Sequence, residues 1–252
     1  MRTVVVSLLL FEALLVYLDI IVTYYEAIAH SAIQDLCNLV IEGSLGGWFS
    51  SVQTLVIGLV VLLIVVRVRA EPAAARRVLG WGVVAFFFLY MAIDDGAAIH
   101  EAFGTAFEDV EIAASAAGQG GFAARILHSF PSYPWQLLFL PFLGVLGAFT
   151  AWFSFRELTR RASRACVAAG LACFALAVGL DFIEGLETPF QRLTALLALH
   201  EDTVPHFSGV LEEFIEMLGA TLLLRAYLGH LFDLCGDVRL RIRSSAVRSK
   251  PD

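Results

Sequence analysis

The feature that most constrains this chain is a series of apolar runs, each close to the length of a membrane-spanning helix. A bilayer core about 30 Å thick requires roughly 20 apolar residues in an α-helix. The clearest run covers residues 52–66. Hydrophobic residues make up 59% of the 252 residues, a larger apolar fraction than a water-soluble domain of this size carries. The sequence therefore predicts an integral membrane protein.

We predict an all-α fold, a polytopic bundle of six transmembrane helices formed by residues 1–235 and followed by a basic tail at 236–252. The predicted spans cover residues 3–29, 52–66, 78–103, 135–155, 164–187 and 207–231. Arg2 and the apolar run after it also resemble a signal peptide, but the acidic residues within that run favour a retained helix.

Arginine residues are distributed unevenly between the two sides of the predicted bundle. They follow the second and fourth spans and fill the tail, whereas the opposite loops are mostly acidic. The positive-inside rule then puts both termini in the cytoplasm, and we expect a bacterial inner membrane. A formal net charge of -7 argues against a nucleic-acid partner. Membrane lipid is the expected partner, with a homo-oligomer or a larger membrane complex left open.

Carboxylates and histidines are concentrated near the outer ends of four predicted spans. Ionisable groups within lipid are costly, so each is a candidate functional residue, with structural pairing or solvation at the headgroup level as the competing interpretation. The candidate metal ligands are Glu26, Asp94, Glu101, Asp181, Glu184, Glu212, Glu213 and Glu216. The candidate catalytic residues are His100, as ligand or proton carrier, and Asp95.

Helix direction predicts that these acids share one depth. The third and fifth spans run outward and end in acids, whereas the sixth runs inward and begins with them. So many carboxylates require a countercharge, which a metal ion, shared protons or water entering from outside could supply. Carboxylates with imidazoles suit a divalent cation, and Mg, Ca, Mn, Fe and Zn are not distinguished by the sequence. The Glu-x-x-His pair of ferritin-like centres is missing.

Two short patterns resemble those of an uncharacterised family of bacterial multispanning membrane proteins. The first is Asp94-Asp95-x4-His100-Glu101, and the second is Glu212-Glu213-x2-Glu216-Met217-x-Gly219. Asp95 stands where that family is expected to carry glutamate. The resemblance implies a membrane fold but no particular reaction.

Three functions remain open at this stage. The first is a metal-dependent enzyme that acts on a lipid or another apolar substrate. The second is a cation or proton transporter, in which Glu12 and Asp19 would continue a polar path toward the cytoplasm. The third is an accessory subunit of a larger membrane complex. The first two differ in whether function requires Glu12 and Asp19.

Overall fold

The computed structural model describes residues 1–41, 43–72, 74–116, 129–186 and 188–236, and the secondary structure within these ranges is entirely helical. The predicted tail therefore lies outside the described residues, apart from Gly236. The helices are α1 (Arg2–Leu18), α2 (Ser31–Cys37), α3 (Leu45–Arg69), α4 (Ala75–Gly96), α5 (Ile99–Ala116), α6 (Pro134–Glu157), α7 (Arg161–Glu184), α8 (Gln191–Leu197) and α9 (Thr203–Cys235). Local sequence explains two of the starts. The Ser44 side chain accepts a hydrogen bond from the Gly47 N–H and caps α3, and Pro134 occupies the first turn of α6.

The first predicted span ends earlier than residue 29. Helix α1 continues as a wider π-helical turn over Asp19–Tyr24, and the chain then leaves the helix. Glu26 follows with a φ of 51°, a left-handed conformation that an α-helix does not contain. The segment that carries Glu26 therefore does not extend the first span.

The third predicted span is broken into two helices. Helix α4 ends at Gly96 and α5 begins at Ile99, because Ala98 adopts a φ of 49°, the left-handed conformation that commonly ends a helix. Asp94 and Asp95 thus lie in the last turn of α4, whereas His100 and Glu101 lie in the first turn of α5. The break lets α5 pack against α6.

Helix α9 is the centre of the bundle, since it packs against α1, α3 and α7. Its crossing with α7 is close enough for the two backbones to touch. A Cβ atom added to Gly219 would lie 3.0 Å from the Gly170 carbonyl oxygen, and one added to Gly170 would lie 2.9 Å from the Gly219 carbonyl oxygen. Small residues at such crossings are typical of membrane helices.

Within the part of the chain that the structure describes, five segments are long and apolar enough to cross a membrane: Arg2–Tyr24, Leu45–Arg69, Ala75–Gly96, Pro134–Glu157 and Arg161–Glu184. Many large apolar side chains on them are exposed, among them Leu10, Val66 and Val145. This pattern is compatible with a multi-pass membrane protein. Helix α9, the sixth predicted span, is long but carries charged residues along its length: Glu212, Glu213, Glu216, Arg225 and Asp233.

Candidate functional site

An acidic cavity lies at the end of the bundle where α7 ends and α6 and α9 begin. It has a volume of about 330 Å³. Its acidic lining consists of Glu101, Glu108, Asp181, Glu184, Glu212 and Glu213. Tyr133 and Trp135 also line the cavity, and among the residues that the structure describes no lysine or arginine does. We call this space the acidic cavity.

Helices α5, α7 and α9 each supply carboxylates to the acidic cavity. Of the candidate metal ligands predicted from the sequence, Glu101, Asp181, Glu184, Glu212 and Glu213 come together there. The cavity also includes Glu108, which sequence reasoning placed in an outer loop. Glu108 follows Glu101 by seven residues and Thr105 lies between them, so helical spacing puts all three on one face and could have revealed this residue.

Asp94, Asp95 and Glu216 lie outside the lining of the acidic cavity. Asp94 is only 1% exposed, and its Oδ2 lies 2.8 Å from His100 Nδ1. The Ser51 hydroxyl donates to Asp95 Oδ2 at 2.6 Å. Glu216 is half-buried on α9, one turn beyond Glu212. Asp94 and Asp95 thus hold His100 and Ser51 through hydrogen bonds rather than lining the cavity.

His100 connects the buried Asp94 with the acidic cavity. Its Nε2 lies 3.9 Å from Oε1 of Glu101, a cavity residue, and the edge of its ring meets Trp135 with ring centroids 4.6 Å apart. Burial alone lowers the pKa of an imidazole, but the hydrogen bond and charge of Asp94, with Glu101 and Asp181, outweigh it and raise the pKa of His100. His100 is thus held in one orientation by a buried carboxylate.

Gln136 is a neutral residue that sequence reasoning missed. Its Nε2 donates to Asp181 Oδ2 at 2.6 Å, so it fixes one of the cavity carboxylates. The Gln136 side chain is 1% exposed, and its Oε1 has no donor among the described residues. Next to it, burial and the nearby carboxylates, Glu184 first, raise the pKa of Tyr133. An isolated glutamine near the start of an apolar span was the available signal.

Glu26 is separate from the acidic cavity. It is exposed and follows the π-helical turn with its left-handed φ of 51°. Asp19, a nearby acid, is instead held by hydrogen bonds. Its carboxylate accepts a hydrogen bond from the Leu39 N–H at 2.9 Å and lies 2.9 Å from His206 Nε2. Asp19 therefore ties α1 to α9 and to the segment before α3.

The cavity carboxylates are spread around a space rather than gathered on one point. Within the described part of the chain, no group of three or more His, Cys, Asp or Glu side chains is close enough to hold a metal ion. The arrangement does not form the compact ligand set that the sequence led us to expect.

Fold and site together define a class: an all-helical protein with several membrane-length helices and an acidic cavity at one end of the bundle. The chain belongs to the family described as Domain of unknown function (DUF8692), whose model matches residues 4–231. That match runs from the first turn of α1 nearly to the end of α9. Neither the curated proteins nor the solved structures yielded a match. Any function must therefore be argued from the site itself.

Proposed function

We propose that this chain is a six-span protein of a bacterial inner membrane, with both termini in the cytoplasm, that binds a divalent cation in the acidic cavity on the outer side. The observation that carries the proposal is the acidic cavity itself. Carboxylates from α5, α7 and α9 share one space of about 330 Å³. A site without basic side chains in its described lining is suited to a cation.

Electrostatics supports a bound cation over an empty cavity. Carboxylates that share a small space repel one another, and an ion of opposite charge relieves that repulsion. Because the carboxylates are too far apart for direct ligation by three of them, we favour an ion that keeps much of its water shell. Mg²⁺ behaves in this way, since it gives up water reluctantly. Mn²⁺ also suits carboxylate and water ligands and is a convenient probe.

The activity that we propose for this cation is metal-dependent chemistry on a lipid or another apolar substrate. The cavity lies where α7 ends and α6 begins, and both helices are long enough to cross a membrane, so a lipid headgroup could approach it from the bilayer surface. A divalent cation there would polarise a bound oxygen. His100, oriented through its hydrogen bond with Asp94 at 2.8 Å, is the candidate proton carrier.

Cation transport is the second candidate, and the specific observation that favours it is the burial of acids away from the acidic cavity. Glu12 and Asp19 on the first helical segment are both 0% exposed. A transported cation would need such groups on its way through the bundle. If transport is the function, Glu12→Gln abolishes cation flux into proteoliposomes. If the protein is an enzyme that acts at the acidic cavity, the same substitution leaves its catalytic activity intact.

The direct test is equilibrium binding of Mn²⁺ to detergent-purified protein. Binding is measured as the loss of the electron paramagnetic resonance signal of free hydrated Mn²⁺. We expect saturable binding to the wild type and affinity at least about tenfold weaker in Glu212→Gln and in Glu184→Gln, because each loses one charge facing the ion. Asp35→Asn is the matched control, since Asp35 is an exposed acid that does not line the cavity.

The proposal is wrong if the wild type shows no saturable Mn²⁺ binding. It is equally wrong if Asp35→Asn weakens binding as much as Glu212→Gln does, because the ion would then respond to overall surface charge. A thermal unfolding curve of each variant confirms that the comparison is made between folded proteins.

A further inference from the structure

A second polar group lies inside the bundle and does not line the acidic cavity. Its centre is Glu12 on α1, which is 0% exposed, with Gln53 on α3 and Thr221 on α9, which are 3% and 1% exposed. Three different helices thus bring a carboxylate, an amide and a hydroxyl together in the interior. We call these three residues the Glu12 site.

The hydrogen bonds of the Glu12 site converge on one oxygen atom. Gln53 Nε2 donates to Glu12 Oε1 at 2.9 Å, and the Thr221 hydroxyl donates to the same oxygen at 2.6 Å. Gln53 Nε2 also lies 2.9 Å from the Thr221 hydroxyl oxygen. Two donors thus hold one oxygen of the Glu12 side chain in place.

Two other oxygens of the Glu12 site lack donors. Glu12 Oε2 and Gln53 Oε1 are both buried and have no hydrogen-bond partner among the described residues. Burying such atoms unsatisfied is costly, and the cost is larger for a charged group. Both atoms are acceptors, so each of them lacks a donor or a cation.

The charge of the Glu12 site selects the kind of cation. One carboxylate carries a single negative charge, and its two hydrogen-bonding neighbours, Gln53 and Thr221, are neutral. A monovalent cation therefore makes the site neutral, whereas a divalent cation would leave a net positive charge within the membrane interior, where charge is expensive. Carboxylate and amide oxygens are hard ligands, which suit a small hard ion.

We propose that the Glu12 site binds a sodium ion through Glu12 Oε2 and Gln53 Oε1, the two buried oxygens that lack donors. The ion joins α1 to α3, while Thr221 of α9 fixes the other carboxylate oxygen. This site is independent of the divalent cation in the acidic cavity, since the two share no residue.

The test is binding of radioactive ²²Na⁺ to the purified full chain in a buffer whose only other monovalent cation is choline. The wild type is expected to bind sodium saturably with one ion per chain. Glu12→Gln removes the charge that faces the ion, and we expect a loss of affinity of about tenfold or more. The double variant Glu212→Gln and Glu213→Gln alters only the acidic cavity, so its sodium affinity is expected to stay at the wild-type level.

Gln53→Leu is a second variant that keeps the carboxylate and removes the amide oxygen, and it too is expected to bind sodium more weakly. It decides the question if Glu12→Gln does not fold. Three results would overturn the proposal. The first is the absence of saturable sodium binding by the wild type, which would mean that a proton holds the site. The second is wild-type sodium affinity in Glu12→Gln or Gln53→Leu. The third is loss of sodium binding in the double variant of the acidic cavity.

Discussion

Replacing Gly170 with alanine tests the crossing of α7 and α9, which positions the cavity acids of α7 relative to those of α9. The new Cβ atom would lie 2.7 Å from Leu223 Cγ and 2.9 Å from the Gly219 carbonyl oxygen. Both distances are shorter than ordinary van der Waals contact, which begins at about 3.4 Å. Leu223 can rotate, but the Gly219 oxygen belongs to the backbone, so the two helices must separate by roughly half an ångström.

The size of the effect follows from two opposing contributions. Overpacking of this kind costs about 1–3 kcal/mol, while alanine gains up to ~1 kcal/mol over glycine through helix propensity. With the full propensity gain the net loss is about 0–2 kcal/mol, which lowers the Tm by up to roughly 8 °C for a chain of this length. The separation also moves Asp181 relative to Glu212, so Mn²⁺ affinity is expected to fall in the same variant.

Gly179→Ala is the matched control because Gly179 lies on the same helix and has nothing within 4 Å of an added Cβ atom. We expect its Tm to equal or exceed that of the wild type, since only the propensity gain remains. Thermal unfolding of the detergent-purified variants, followed by far-ultraviolet circular dichroism, makes the comparison. A Gly170→Ala protein as stable as Gly179→Ala would refute the close crossing.

Two further predictions concern the ends of the bundle. Asp19→Leu removes the acceptor for the Leu39 N–H and for His206, and it should lower the free energy of unfolding by about 1–3 kcal/mol; a thermal unfolding curve at the wild-type midpoint would contradict this. Arg77→Gln breaks the ion pair in which Arg77 Nε lies 2.6 Å from Glu157 Oε2. Because Arg77 is about a third exposed, we expect the free energy of unfolding to fall by at most about 1 kcal/mol, and by less in concentrated salt. A destabilisation that does not change with salt would argue against the ion pair.

The lengths of the apolar runs predicted the position of most helices well. The predicted span 135–155 corresponds to Pro134–Glu157, and 164–187 corresponds to Arg161–Glu184. Helix direction predicted that the acids of the third, fifth and sixth spans, among them Asp94, Asp181 and Glu216, would share one depth; Asp181 lines the acidic cavity together with Glu212, whereas Asp94 and Glu216 do not line it. These features follow from the periodicity and bilayer length that the sequence carries directly.

Other features depend on tertiary contacts and local conformation that the sequence does not encode in an obvious way. The helix break at Ala98 involves a residue that favours helices, and nothing in the pattern marks its left-handed conformation. Sequence reasoning that considered only ionisable groups missed Gln53 and Gln136, although Gln53 donates to the buried Glu12 and Gln136 to the half-buried Asp181. Neutral polar residues within apolar spans are therefore the signal to seek in similar chains.

The most direct test of the acidic cavity is the position of a bound ion. Anomalous diffraction from crystals of the wild-type protein soaked in Mn²⁺ locates the metal without reference to any assumed ligand. We expect one peak within the cavity, between Glu184 on α7 and Glu212 and Glu213 on α9, at distances that leave room for water molecules. The absence of a peak there, or a peak only at exposed acids such as Asp35, would contradict the account.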